Sequence, residues 1–215
     1  MGVVTSHLDV FAEGLLTSLQ ISAATFLLAA AGGVLLSCCR ISPVGPLRWF
    51  AAGYVTAVRG VPLLVLLTLF VFGLPEAGVV YSLPWTVVTA MGAYWAAFFC
   101  ETVRAGIRSV PTGQIEAARA LGLTGRQLLS SVVLPQALRS VLQPLASLLI
   151  AVILNSSLAA AVGVTDELTG QTVLLDQRYA QPLVTFTAAA ACYALLTGTI
   201  GRLAAVLDGR LAVRR

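Results

Sequence analysis

The chain has 215 residues, 58% of them hydrophobic and only 10% charged, with 13 basic and 9 acidic side chains for a net charge of +4. A soluble domain of that composition lacks the polar surface to cover itself, so the chain reads as an all-α integral membrane protein. Its basic excess follows membrane topology, and no nucleic-acid-binding patch stands out.

The amino terminus has no basic n-region and its first apolar run is longer than a signal peptide's core, so no cleavage is expected. Uncharged runs at residues 14–39, 60–75, 77–100, 140–165 and 179–201 mark five crossings, since one span takes about 20 residues. One domain, 1–215, is therefore expected, with spans at about 14–39, 57–75, 77–103, 137–162 and 182–207 and a loop at about 108–135. The second run is short. It is extended backward through Arg59, whose head then lies at the interface or faces the protein interior.

The first span is rich in Ala, Ser and Gly and includes Gly32-Gly33, which suits close contact with another helix. Cys38, Cys39, Cys100 and Cys192 have no metal-ligand spacing and His7 is the single histidine; the thiols read as structural and reduced, and no metal or catalytic set is expected. Residues 43–58, with Leu47, Trp49, Phe50, Tyr54 and Val58, suggest a helix lying along the membrane face. Arg59-Gly60-Val61-Pro62 then opens the second span, with proline at a helix start.

Between the third and fourth spans lies the one long polar interruption, with Arg104, Arg108, Arg119, Arg126 and Arg139 against Glu116 alone after Glu101. Pro111-Thr112-Gly113 breaks the preceding helix, and 114–121 is expected as a short amphipathic helix with Ile115, Ala118 and Leu121 along one side. Gly122 suits a left-handed position just past it. Thr124-Gly125-Arg126-Gln127 has capping-box spacing, so a second helix starts there and runs until Pro135 interrupts it.

Glu116-Ala117-Ala118, then Gly122, Val132 and Leu134-Pro135, resembles the EAA loop of permease subunits of bacterial ABC importers, with valine at 132 where isoleucine is usual. The resemblance implies the type I ABC importer permease fold, with five transmembrane helices and a cytoplasmic coupling helix that docks on an ATPase. Glu116, Ala117, Ala118, Gly122, Leu134 and Pro135 would then carry the coupling. Two alanines allow close approach of a partner, and Gly122 allows a sharp turn. Val58-Arg59-Gly60-Val61-Pro62-Leu63-Leu64, Gly92-Ala93-Tyr94 and Glu101-Thr102-Val103-Arg104-Ala105-Gly106-Ile107 are similar to the polar amino-acid branch of that family. Asn155-Ser156-Ser157-Leu158-Ala159 is similar too, except that Leu154 stands where lysine is usual.

The family implies a non-catalytic subunit: Mg-ATP is bound and hydrolysed by a partner ATPase dimer, beside a second permease subunit (a homodimer or a heterodimer), an extracytoplasmic substrate-binding protein, a polar amino acid and membrane lipid. The chain itself carries no Walker-type phosphate loop and no nucleophile–base set. With five crossings, 12 of the 13 basic residues fall on one side and only Arg178 on the other. The positive-inside rule then puts the amino terminus outside and the carboxyl terminus in the cytoplasm of a bacterial inner membrane.

A translocation path is expected from the polar groups at membrane depth: Arg59, Glu101, Asn155, Ser156 and Ser157, with Gln143 nearer the cytoplasm. Glu101 needs a partner, which Arg104 or Arg108 can supply from the next turns. The outer loop 163–181, with Asp166, Glu167, Asp176 and Arg178, is expected to receive the binding protein. The alternative is a channel or secondary carrier not driven by ATP. That class usually shows an internal repeat or an intramembrane relay, and neither is found.

Overall fold

A computed structural model describes residues 2–211, and among them the regular secondary structure is all helical. In chain order the elements are α1 (Gly2–Thr5), α2 (Leu8–Ile41), α3 (Gly45–Arg59), α4 (Leu63–Thr68), a π-helical turn (Leu69–Gly73) and α5 (Leu74–Glu76). Then come α6 (Leu83–Arg108), α7 (Thr112–Ala120), α8 (Gly125–Gln127), a second π-helical turn (Leu128–Val133) and α9 (Leu134–Ser156). A 3-10 turn (Ser157–Val162), α10 (Leu168–Tyr179) and α11 (Pro182–Leu211) complete the fold. Four helical runs are long and apolar enough to cross a bilayer: Leu8–Ile41, Leu83–Arg108, Gly125–Val162 and Pro182–Gly209.

The spine is the pair α2 and α6, held side by side because small residues line the seam. A β-carbon placed on Gly33 would meet Phe99 Cβ at 2.5 Å and the backbone of Ala96 and Cys100 at 3.0 Å, so glycine sets the closeness of the two helices. Ser37 Oγ then donates across the seam to the Cys100 carbonyl at 3.1 Å. Lipid offers no hydrophobic drive between helices, and such close packing with a shared hydrogen bond takes its place.

The second crossing departs from the straight span expected at 57–75. Gly45–Arg59 and Leu63–Glu76 are two helical pieces bent by 104°. Pro62, the residue ahead of α4, has φ −60° and ψ 137°; its ring removes a donor and pushes Val61 out of helical conformation. Side chains then decide the direction. Tyr54 OH donates to the Ala93 carbonyl at 2.8 Å and Val55 packs with Ala97 and Cys100, whereas Leu63 and Leu67 join Val87, Val88, Met91 and Trp95. α3 therefore crosses α6 near its middle, and α4 turns away along it towards the α6 amino terminus. The Arg59 end of α3 is exposed, with the guanidinium at the level of Phe98.

The third span starts at Leu83 rather than 77, because residues 77–82 form a turn ending on Ser82 in extended conformation. Pro135 does not interrupt the helix as expected. The π-helical turn Leu128–Val133 precedes it, and the helical run continues from Gly125 to Val162. Widening the helix ahead of the ring relieves the clash a proline causes in a regular helix. Leu69–Gly73 does the same ahead of Pro75.

Candidate functional site

Two features stand at the end of the bundle where α2 and α6 finish: the α7 hairpin and a cavity against α6. α7 begins after Pro111 in extended geometry and is anchored by one side chain, Ala118, 6% exposed. Glu116 and Ala117 are exposed. Gly122 takes φ +79°, and the chain closes with Gly122 N–H to the Arg119 carbonyl at 2.9 Å and Leu123 N–H to the Ala118 carbonyl at 3.1 Å. That is the left-handed helix ending in which glycine carries no β-carbon penalty.

The capping box at Thr124 forms as the spacing predicts. The Thr124 N–H donates to Gln127 Oε1 at 2.9 Å and the Gln127 N–H returns to Thr124 Oγ1 at 3.4 Å. Gln136 Nε2 donates to Gln114 Oε1 at 2.5 Å and ties α7 to α9. Leu121, expected on the buried side with Ile115 and Ala118, is 81% exposed because the helix ends one residue before it. Leu134 and Pro135 are also exposed. The result is a short helix fixed on its Ala118 side and presenting Glu116, Ala117 and Leu121 outward.

The cavity, of about 480 Å³, is walled by Arg59, Phe98, Glu101, Thr102, Ser140 and Pro144 among others, where α3, α6 and α9 converge. The Arg59 guanidinium lies over the Phe98 ring, 5.3 Å from its centroid, and pairs with no carboxylate among the described residues. Glu101 is paired instead with Arg40 at 3.2 Å and Arg104 at 3.8 Å. Arg104 was legible as a neighbour on the same helix. Arg40, the nearer partner, comes from α2 and left no local signal.

Asn155, Ser156 and Ser157 lie apart from that cavity, and each bonds its own helix. Asn155 Nδ2 donates to the Ala151 carbonyl at 2.8 Å, Ser156 Oγ to Ile153 at 2.8 Å and Ser157 Oγ to Leu154 at 2.7 Å. Ser156 is fully buried, while its two neighbours are half-buried where α9 tightens into the 3-10 turn.

At the opposite end the acidic loop is not a uniformly exposed surface. Glu167 is fully buried and caps α10, its Oε1 accepting the Gly170 N–H at 2.6 Å. Its Oε2 accepts Ser18 Oγ at 3.2 Å and Tyr193 OH at 3.1 Å, so one carboxylate joins α2, α10 and α11. Burial pushes its carboxyl above the usual carboxylate value, against the opposing pull of the Thr169 and Gly170 amides, Tyr193 and Ser18. Asp166 and Arg178 remain exposed. Glu167 and Ser18 are 149 residues apart, which is why neither could be singled out as a pair.

Residues 26–213 match the family described as "Binding-protein-dependent transport system inner membrane component". GlnM of Bacillus subtilis (strain 168), named a probable glutamine ABC transporter permease protein, is 38% identical over 160 residues, which cover 74% of this chain and 72% of GlnM. The arginine transport system permease protein ArtQ of the same organism is 32% identical, with 80% of each chain covered. Among solved structures, an amino acid ABC transporter crystallised with histidines superposes with a TM-score of 0.92 at 28% identity over 96% of both chains.

Proposed function

The chain belongs to the family of binding-protein-dependent transport system inner membrane components, and on that premise we propose that it is a permease subunit of an ATP-driven importer for polar amino acids. Two such subunits, identical or related, enclose the path. A cytoplasmic ATPase dimer hydrolyses Mg-ATP beneath them, and an extracytoplasmic binding protein delivers the substrate. Relatives named for glutamine and arginine support the substrate class. The distribution of arginines supports an orientation with the amino terminus outside and the α7 end in the cytoplasm.

The observation that carries the reading is the geometry of α7. A helix that shows an exposed carboxylate, alanine and leucine on one side, and is braced on the other by Ala118 and the Gln114–Gln136 bond, is shaped to receive a groove of another protein. An ATPase moves the bundle only by contacting α7 differently in two states. Glu116, Ala117 and Gly122 make that contact, Ala118 holds α7 against the bundle behind it, and Leu134-Pro135 sets the start of the fourth span. Glu116→Lys and Gly122→Arg should abolish uptake while leaving the protein in the membrane. Uptake at the normal rate with either change would overturn the assignment.

Arg59 and Glu101 border the substrate path on the cytoplasmic side. Asn155, Ser156 and Ser157 mark it further out. Their side chains bond their own helix in the structure, so substrate contact there requires those bonds to exchange. Substrate-stimulated turnover in Asn155→Leu and Ser157→Ala tests that half of the path, and wild-type turnover in both would remove it.

A further inference from the structure

We propose that Gln136 is a positioning residue for the coupling step: its side-chain amide holds α7 at a fixed tilt against α9, so that a displacement imposed on α7 reaches the spanning helices. The inference rests on the importer reading above and adds the bond through which α7 and the bundle move together.

The helices to be moved are already locked to one another. α6 and α9 meet at Gly106, where an added β-carbon would overlap Val141 Cγ1 and come within 3.1 Å of the Ala137 carbonyl. The Ser109 and Ser140 hydroxyls lie 3.1 Å apart at the same junction, and Val110, next in the chain, is buried. Packing that close leaves the two helices no room to slide.

α7 hangs from that block by two joints. In front, Pro111 is extended, with φ −59° and ψ 134°. Behind, Gly122 takes φ +79°, and a β-carbon there would meet nothing within 4 Å. The helical hydrogen-bond ladder is interrupted at both joints, so neither resists rotation as a continuous helix does. Ala118 adds one buried contact in α7, and a single contact acts as a pivot. A helix on a pivot between two joints tilts under load, and the stroke is spent in the tilt.

Gln136 removes that freedom. Its amide nitrogen carries two hydrogens, and each has an acceptor: Gln114 Oε1 in the first turn of α7 at 2.5 Å, and the Val132 carbonyl in the π-helical turn at 2.9 Å. Among the described residues, the first is the one side-chain hydrogen bond from α7 to another element. Gln114 is one turn from Ala118, so the bond and the pivot together fix two points along α7. Gln136 is likewise one turn from Ser140, on the same face of α9. The tie to α7 and the tie to the end of α6 therefore fall on adjacent turns, and α9 receives a load on α7 where it is locked to α6.

The test uses the complete transporter, with its ATPase and binding protein, in proteoliposomes, and reads tritiated L-glutamine taken up per ATP hydrolysed. A neutral hydrogen bond is worth a factor of about five in the population it holds, so Gln136→Leu should lower that ratio about three- to fivefold. Gln114→Ala should lower it equally, while Gln114→Glu, which still presents an acceptor, should keep the wild-type ratio. The double variant Gln114→Ala/Gln136→Leu should fall no lower than the poorer single one, because the two residues make one link. Four results would each overturn the role: the wild-type ratio in Gln136→Leu, a fall in Gln114→Glu as deep as in Gln114→Ala, additive losses in the double variant, or uptake and hydrolysis falling in step at an unchanged ratio. Should Gln136→Leu fail to assemble with the ATPase, Gln114→Ala and Gln114→Glu decide, since both keep the Val132 bond. Wild-type uptake of a panel of polar amino acids is measured alongside. Uptake with no effect at Gln136 removes the positioning role alone, and no ATP-dependent uptake of any of them removes the reading beneath it.

Discussion

The two ends of α2 handle buried charge in opposite ways. Near its amino terminus Ser18 meets Glu167, a carboxylate enclosed by donors from three helices. Near its carboxyl terminus Arg40 meets a Glu101 that is 30% exposed, beside an Arg59 with only an aromatic ring beneath it. At the first end the bonding capacity is spent on tying helices together. At the second it is left over, facing a cavity. Spent polar groups make a fixed end, and spare ones make an end able to take a ligand.

The largest expected effect is at the fixed end. Glu167→Ala strands the Gly170 N–H and the Ser18 and Tyr193 hydroxyls in a buried site, and should cost about 3–5 kcal/mol of stability. Arg59→Gln, by comparison, should shift stability by less than about 0.5 kcal/mol. Thermal unfolding of both variants in the same detergent checks the pair. Equal losses would erase the contrast between the ends.

Gly33→Val, in the seam joining the two ends, is expected next. The new side chain must displace Phe99 and the α6 backbone, at about 1–3 kcal/mol for overpacking. A variant as stable as the wild type would mean that α2 and α6 can slide past each other and that the ends are not rigidly linked.

Acidity tests the fixed end from another side. Because burial raises the Glu167 carboxyl, the folded chain keeps its proton at pH values where the unfolded chain has released it. Stability should therefore be highest on the acid side, and fall as pH rises from the ordinary value of about 4.3 through the raised folded value. Glu167→Gln should lack that fall. Unfolding midpoints of both chains across this window measure it, and parallel curves would show that Glu167 does not set the slope.

What could be read from the chain was what depends on near neighbours. Gly122, the Thr124 capping box and four apolar runs are local, and the helices formed there. Pro62 read as the start of a helix in a straight span, and the 104° turn came instead with Tyr54 reaching Ala93 and with Leu63 and Leu67 packing on α6. Pro135 misled because a π-helical turn absorbed it. Glu167 misled more deeply. A carboxylate in a polar loop reads as exposed until the donors, 149 and 26 residues away, are brought around it. The candidate path divided along the same line: the cavity needed α9 against α6 to exist, and nothing near Arg59 in sequence forecasts Phe98 beneath it.

Glu101→Gln is expected to fall between Gly33→Val and Arg59→Gln. Its carboxylate also meets two partners, but Arg40 lies at 3.2 Å and Arg104 at 3.8 Å, and the pairs are partly open to solvent. Water and salt screen such contacts, so the change should cost about 0.5–1 kcal/mol and shrink further at high ionic strength. Unfolding of wild type and variant at low and high salt measures both statements. A salt-independent loss as large as that of Glu167→Ala would place Glu101 in a site as dry as the other end, and the spare donors of Arg59 would then have no accessible cavity to serve.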